Sequence, residues 1–363
     1  MSGFNRDVVF TGDGSSMEFY DVLPTNLTIR RQVPDGLNES FMGYTGKTIF
    51  VEVNMNPYFH NDNTEEFLSA DYPETRSVKE LYDVIKRVIE RRWDPSKLHV
   101  VGHSSGYDSR IVSTAIKELG EKNGKEWLGD VVCVEVFGEG FLFNEIMKKQ
   151  GFAGIVYSEE FSLPECQERW FNFKNFHKKF NGVSAFPVNQ WWDAYDHLEE
   201  CGILDRENTQ CFTGFGANET MEIAHKKKGF DYYFKWFHHL QLQTFRTWGG
   251  EWVHPFWDYE YLNALAGFTE AKEYSDRIAE RMVNEIAGHL SYIPRIHSNK
   301  EFRTLSDTLL LRAQEEYDNS WYGREVKLKL DKDFTNYRPW WYNYCVASMC
   351  EYLLEKGYKI KFI

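Results

Sequence analysis

The sequence predicts an α/β protein whose core is a parallel sheet covered by helices, preceded by a small β-rich lobe and followed by a helical half. Three observations predict it. Short apolar runs alternate with helical segments from residue 98 to residue 214. The first 70 or so residues carry only short strand-like runs punctuated by Gly, Pro and Asn. Beyond residue 220 such runs disappear and helical segments dominate.

The elements follow in chain order. "DVVFTGD" (7–13), "LTIRRQV" (27–33) and "TIFVEVNM" (48–55) read as short strands of the N-terminal lobe. The polar stretch "NDNTEEFLSADYPET" (61–75) reads as a linker, so the expected division is 1–75 and 76–363. "RSVKELYDVIKRVIERRW" then sets Val78, Leu81, Val84, Ile85, Val88 and Ile89 along one face of an amphipathic helix. "LHVVG", "DVVCVEVF", "AGIVYS" and "TQCFTG" read as strands. They alternate with the helical segments "SRIVSTAIKELGEK", "FLFNEIMKKQG" and "WWDAYDHLEECGI". Buried strands alternating with helices give a parallel sheet covered on both faces. Later helices are expected in "AKEYSDRIAERMVNEIAGHL" and "EFRTLSDTLLLRAQEEY".

Composition excludes several classes. A chain of 363 residues exceeds one comfortable core. No apolar run approaches the roughly 20 residues that cross a bilayer. The start "MSGFNRDVVF" lacks the zones of a signal peptide, and the six cysteines show no CxxC spacing, so buried thiols in a reducing, cytoplasmic compartment are expected. The net charge of −13 argues against binding a nucleic-acid backbone. "HKKKG" (225–229) is the one compact basic run and reads as a solvated loop or helix end. The pairs Trp191/Trp192 and Trp340/Trp341 suit a core or an interface between copies of the chain, and His238/His239, without partners at metal spacing, suit packing.

The stretch "GHSSGYDSRIV" (102–112) sits between an apolar strand and a helix. In an open parallel sheet, ligands bind beyond the carboxyl ends of strands. Gly106 permits tight curvature, Ser104, Ser105 and Ser109 supply hydroxyls, and the helix N-terminus adds N–H groups; together these suit a phosphate. Asp108 beside a phosphate requires a bridging cation such as Mg²⁺. On the alternative reading, Asp108 caps the helix and the serines complete a turn. Neither GxxxxGK[ST] nor GxGxxG occurs here. His103 abuts the loop, and either touches the ligand or packs under the strand end.

"SSGYDS" resembles the SGGxDS signature of the PP-loop ATP pyrophosphatases, with Ser105 in place of the first glycine. "TGFGANE" (213–219) resembles the S-G-E-G-A-D-E stretch of asparagine and β-lactam synthetases, and "EWVHPFWDYEYLNALAGF" (251–268) resembles their E-V-R-x-P-F-L-D segment. The likeness spans about residues 76–305. It implies an adenine nucleotide α-hydrolase-like core and a loop, Ser104, Ser105, Gly106, Tyr107, Asp108 and Ser109, that grips the pyrophosphate of ATP, with Gly214 and Gly216 beside it. It further implies Mg²⁺ on Asp108 and on Asn218, which replaces an aspartate, with Glu219 able to compensate. Phe215 replaces an acid and Val253 an arginine. Glu251 matches an acid that helps deprotonate the incoming amine, and Lys300, in "HSNKEF" (297–302), matches a lysine that stabilises leaving pyrophosphate.

Full asparagine synthetases begin with a glutaminase domain that has an N-terminal cysteine nucleophile. This chain begins Met1, Ser2, Gly3, and its first cysteine is Cys133. The lobe is therefore expected to be a reduced or replaced glutaminase domain. The leading expectation is an ATP-dependent ligase that adenylates a small-molecule or peptide carboxylate and passes the acyl group to ammonia or an amine. Two others stand beside it: adenylation of a nucleobase or nucleotide, and nucleotide or protein binding without turnover.

Overall fold

The computed structural model describes residues 9–16, 19–29, 48–56, 74–104, 106–124, 131–135, 146, 148–150, 152, 156–157, 172–179, 189–214, 217, 249–268, 275–293, 306–330 and 339–363. The N-terminal part holds strands β1 (Val9–Gly12), β2 (Gly14–Ser16), β3 (Asn26–Ile29) and β4 (Asn54–Asn56). β1 pairs antiparallel with both β2 and β4. The run "TIFVEVNM" is shorter as a strand than its composition suggests. The Thr48 hydroxyl donates to Val53 O (2.9 Å) and accepts from Phe50 N–H (3.2 Å), holding residues 48–53 in a turn that competes with a ladder.

Helix α1 (Val78–Arg92) forms as its sequence dictates. Ser77 caps it by accepting from Glu80 N, and the Glu80 carboxylate reaches back to Arg76 N–H. It ends before Asp94-Pro95, a pair that disfavours further helix. All six predicted face residues are buried, with Tyr82 beside them. Strand β5 (Leu98–His103) and helix α2 (Tyr107–Asn123) follow, then β6 (Val131–Glu135), β7 (Val156–Tyr157), the short helix α3 (Phe173–Phe176), α4 (Asn189–Glu200) and β8 (Thr209–Phe212).

The chain is α/β. β5, β6, β7, β8 and a later strand, β9 (Glu251–Val253), form one parallel sheet in the order β7-β6-β5-β8-β9. β6 and β7 extend to one side of β5, and β8 and β9 to the other, so the order reverses between β5 and β8. β5 is buried along nearly its whole length, as a central strand covered on both faces must be.

Helices α5 (Tyr259–Ala266), α6 (Ser275–Glu285), α7 (Asp307–Asn319), α8 (Trp321–Glu325) and α9 (Pro339–Glu355) lead to a last strand, β10 (Lys359–Phe362). Beyond residue 220, two strands, β9 and β10, thus occur where the sequence reading expects none, and both are short. Three residues, "EWV", carry no legible period. In "KIKF", alternate residues are exposed, and the strand is held by parallel pairing with β3, from Lys359↔Asn26 to Phe362↔Ile29. The buried apolar side chains form two clusters. One surrounds the five-stranded sheet; the other joins Phe19, Leu27 and Phe50 of the N-terminal part to Tyr317, Tyr344 and Leu353 near the C-terminus. In α9, residues 343–350 are all buried, so no polar face is expected of it.

Among the described cysteines, Cys211, Cys345 and Cys350 are buried, whereas Cys201 is exposed, its Sγ 3.3 Å from His197 Nε2. Among the described residues, no helix is long and apolar enough to cross a membrane. The basic run 225–229 and His238/His239 lie outside the described residues, as do the side chains of the four paired tryptophans.

Candidate functional site

The bend between β5 and α2 sits at the carboxyl edge of the sheet, beside the carboxyl end of β8, where the strand order reverses. Such a reversal leaves a crevice, because the connections leave the two adjacent strands toward opposite faces. Four predicted residues shape the bend. Gly106 is the N-cap of α2 and itself offers no side chain to cap the helix. Asp108 therefore lies inside the first helical turn and does not cap it, against the alternative reading of the sequence. Its negative charge there is favoured by the helix dipole.

The serines divide the work. Ser109 is buried and closes the bend from inside: its hydroxyl lies 2.9 Å from Ser104 O and accepts from Ser104 N–H at 3.2 Å. Ser104 is half-buried, and its Oγ accepts from Gly106 N–H at 3.1 Å. Ser104 Oγ also lies 3.4 Å from Ser109 Oγ, so Ser109 holds the loop's shape while Ser104 is the more exposed of the two. Tyr107 is half-buried in the first helical turn, with the Arg110 guanidinium 5.7 Å from its ring centre. Among the described residues, a Cβ placed on Gly106 would meet Ser104 Oγ, at 3.0 Å.

Gly214 brings the second motif to the first. A Cβ at this position would fall 2.6 Å from Asp108 C, 2.8 Å from Asp108 O and 2.8 Å from Ser109 N. Only glycine lets the end of β8 lie against the backbone of the α2 first turn. Gly214→Ala is expected to destabilise the fold by about 1–3 kcal/mol, as overpacking against fixed backbone does. A lower denaturation midpoint checks it.

His103 packs under the strand end. It is fully buried, and Nδ1 donates to Ser104 O at 2.7 Å while Nε2 lies 3.0 Å from Ser113 Oγ. Burial pushes its pKa down to about 3, so the ring is neutral near pH 7 and adds no cation to the loop. Gln150 continues the network, donating to Ser113 Oγ and Thr114 Oγ1 and accepting from His289 Nε2 at 3.1 Å. These buried polar groups fix the Ser104 carbonyl from behind.

Sheet register places Glu251, the expected base for the incoming amine, toward the amino edge of the sheet. It begins β9 and pairs with Gln210, which pairs with His99 in turn. His99 precedes His103 by four residues, a rise of about 13 Å along the strand. At that amino edge Glu251 is held by Lys97 (3.0 Å) and Arg92 (3.5 Å). Val253, at the carboxyl end of the same strand, is buried. Ser105, Phe215, Gly216, Asn218, Glu219 and Lys300 lie outside the described residues.

Two residues beside the bend escaped the sequence reading. Arg110 is fully buried and donates from Nη1 to Leu290 O (3.1 Å) and Ile293 O (2.7 Å). Tyr261, on α5, is fully buried, and burial followed by the charge of Asp108 drives its hydroxyl pKa far upward. Neither had a usable signal: an arginine early in a helix reads as exposed, and a tyrosine on an apolar face reads as packing.

The chain matches no family model and no curated protein. The donor set around the bend fits a phosphate with a bridging divalent cation. It offers a helix N-terminus whose N-cap residue is glycine, the half-buried Ser104 hydroxyl, a glycine cradle and one carboxylate whose Oδ1 is buried. Among the described residues no group of three or more His, Cys, Asp or Glu side chains is placed to hold a metal.

Proposed function

We propose that the chain is an ATP-dependent carbon–nitrogen ligase built on an adenine nucleotide α-hydrolase-like core. It adenylates a carboxylate, releases pyrophosphate and transfers the acyl group to ammonia or an amine, without hydrolysing glutamine. The observation that carries this reading is the Ser104–Ser109 bend at the strand-order reversal, with glycine at the N-cap of α2 and Asp108 in the first turn against Gly214. In the reaction a carboxylate oxygen attacks the α-phosphorus, the α–β phosphoanhydride breaks, and the amine then displaces AMP from the acyl carbon. Asp108 would hold Mg²⁺, which when bound would supply positive charge beside the departing pyrophosphate. The α2 backbone N–H groups and the Ser104 hydroxyl hold the phosphate oxygens, while Ser109 and His103 keep the bend in shape. Fixed dipoles of this kind need no reorganisation as charge moves onto the leaving group.

The test is incubation with ATP, Mg²⁺ and a metabolite extract, with pyrophosphate, AMP and new amides measured together. Equal release of pyrophosphate and AMP with a new amide is expected; ADP as the product would reject the reading. Glu251→Gln is expected to leave that release within about twofold of wild type, because the residue belongs to a partly exposed ion pair worth under about 1 kcal/mol. A loss of a hundredfold or more would return Glu251 to the chemistry. Its placement also favours a second reading, nucleotide binding without turnover, in which ATP binds and no pyrophosphate appears.

A further inference from the structure

A chain of hydrogen bonds runs from the protein surface to the bend, and the chemistry of its links fixes its direction. At the inner end the Ser104 carbonyl can only accept, so His103 Nδ1, 2.7 Å away, carries a proton. Burial, with the Arg110 charge beside it, keeps the ring neutral, and its Nε2 is therefore a lone pair that accepts. Among the described residues Ser113 Oγ, at 3.0 Å, is the group placed to donate to it, with Arg110 O at 3.1 Å as the competing acceptor. A serine has one proton to give. Once it is given inward, Oγ accepts from the Gln150 amide nitrogen, which lies 2.8 Å from Ser113 Oγ and 3.0 Å from Thr114 Oγ1. Gln150 is fully buried with its nitrogen facing inward, so its Oε1 accepts from His289 Nε2 at 3.1 Å. The outermost link thus requires a proton on Nε2 of His289, a residue that is exposed. A separate contact holds that residue in place: Arg110 donates to Leu290 O and Ile293 O, in the turn that carries His289.

The amide is the link that can reverse. Turned over, Gln150 would offer its oxygen to Ser113 and draw the Ser113 proton away from His103, and the ring that fixes the Ser104 carbonyl would lose this donor. A proton on His289 Nε2 opposes the turn, because the reversed amide would set N–H against N–H.

We infer that Gln150 and His289 are positioning residues of the bend: His289 fixes the sense of the Gln150 amide, and through Ser113 and His103 that amide fixes the Ser104 carbonyl and the loop that presents the Ser104 hydroxyl. That the bend takes a nucleotide rests on the proposed function; the direction of the hydrogen-bond chain does not.

The test uses the full chain with ¹⁵N-labelled histidine at pH 7 and compares wild type with His289→Ala and His289→Gln. Glutamine places an amide nitrogen near the position of Nε2 and so restores a donor there. Because His289 is exposed, both variants are expected to melt at the wild-type temperature. In wild type the assigned His103 ring is expected to show one protonated nitrogen, Nδ1, and one hydrogen-bonded lone-pair nitrogen, Nε2. In His289→Ala the Nε2 resonance should move toward that of an unbonded ring nitrogen, and in His289→Gln it should return. Binding of a non-hydrolysable ATP analogue with Mg²⁺ is expected to weaken about threefold to tenfold in the alanine variant, the scale of one hydrogen bond, and to recover in the glutamine variant. An unmoved His103 resonance in His289→Ala would overturn the inference, whatever the binding shows. A resonance that moves while the analogue binds as tightly as to wild type would overturn it too, since the chain would then not serve the site. An alanine variant that melts well below wild type, with glutamine failing to restore it, would assign His289 to the fold and reject the inference. A wild type that binds no analogue would overturn the nucleotide reading, and the His103 resonance would then decide the inference by itself.

Discussion

Replacing Asp108 by alanine is expected to lower magnesium-dependent pyrophosphate release by at least about 10²–10³-fold, the scale of removing one group that stabilises developing charge in a closed site. The fold should survive. Asp108 sits in the first turn of α2, where its interaction with the helix dipole is worth roughly 0.3–1 kcal/mol, well below the stability of a typical domain. The informative variant is Asp108→Asn. It keeps the size of the side chain and one carbonyl oxygen, but it loses the charge that attracts a dication. If Asp108 acts through charge, Asn should be nearly as poor as Ala, and raising Mg²⁺ should recover little. If Asp108 only accepts a hydrogen bond that shapes the loop, Asn should restore most of the turnover. Initial rates of pyrophosphate release across a Mg²⁺ series separate these outcomes, and near-wild-type rates in both variants would remove Asp108 from the site.

What the sequence could reveal depended on whether the signal was local. Helix α1 was legible because Ser77, Glu80 and six apolar residues at helical spacing all lie within seventeen positions. The bend was legible because Ser, Gly and Asp are residue types chosen for what a tight turn and a phosphate require. The β10–β3 pairing was not, since it joins Lys359 to Asn26 and neither strand has the length to announce itself. Glu251 shows a different limit. A run of residues can match a motif, but which end of a strand an acid occupies is set by sheet register. Register in turn comes from contacts with Gln210 and, through it, His99. Gly214 was noticed as part of a motif, but its steric reason appears only when the backbone of Asp108 lies where its Cβ would be. Tyr261 and Arg110 were hidden by their own chemistry, one resembling core and the other resembling surface.

Arg110→Ala is the second large effect, and it falls on stability. The guanidinium is fully buried one turn into α2, and a single nitrogen donates to Leu290 O and Ile293 O, in the turn that follows helix α6. Two opposing terms decide the outcome. Removing a buried cation recovers its desolvation penalty, several kcal/mol in gross terms, which favours the variant. Against this, two buried carbonyls lose a charged donor at about 1.5–3 kcal/mol each, and alanine leaves a cavity the size of the arginine stem. The losses are expected to win by about 3–5 kcal/mol, read as a lower denaturant midpoint at unchanged slope. Arg110→Met separates the terms. It fills the volume and removes the charge, leaving the Leu290 and Ile293 carbonyls without this donor, and a smaller loss of about 1–3 kcal/mol is expected. If methionine proves as stable as arginine, the hydrogen bonds to Leu290 and Ile293 contribute nothing net and packing alone holds that turn against α2. If methionine is as damaging as alanine, the hydrogen bonds carry the effect, and they help fasten the helix that begins at the bend to the turn after α6.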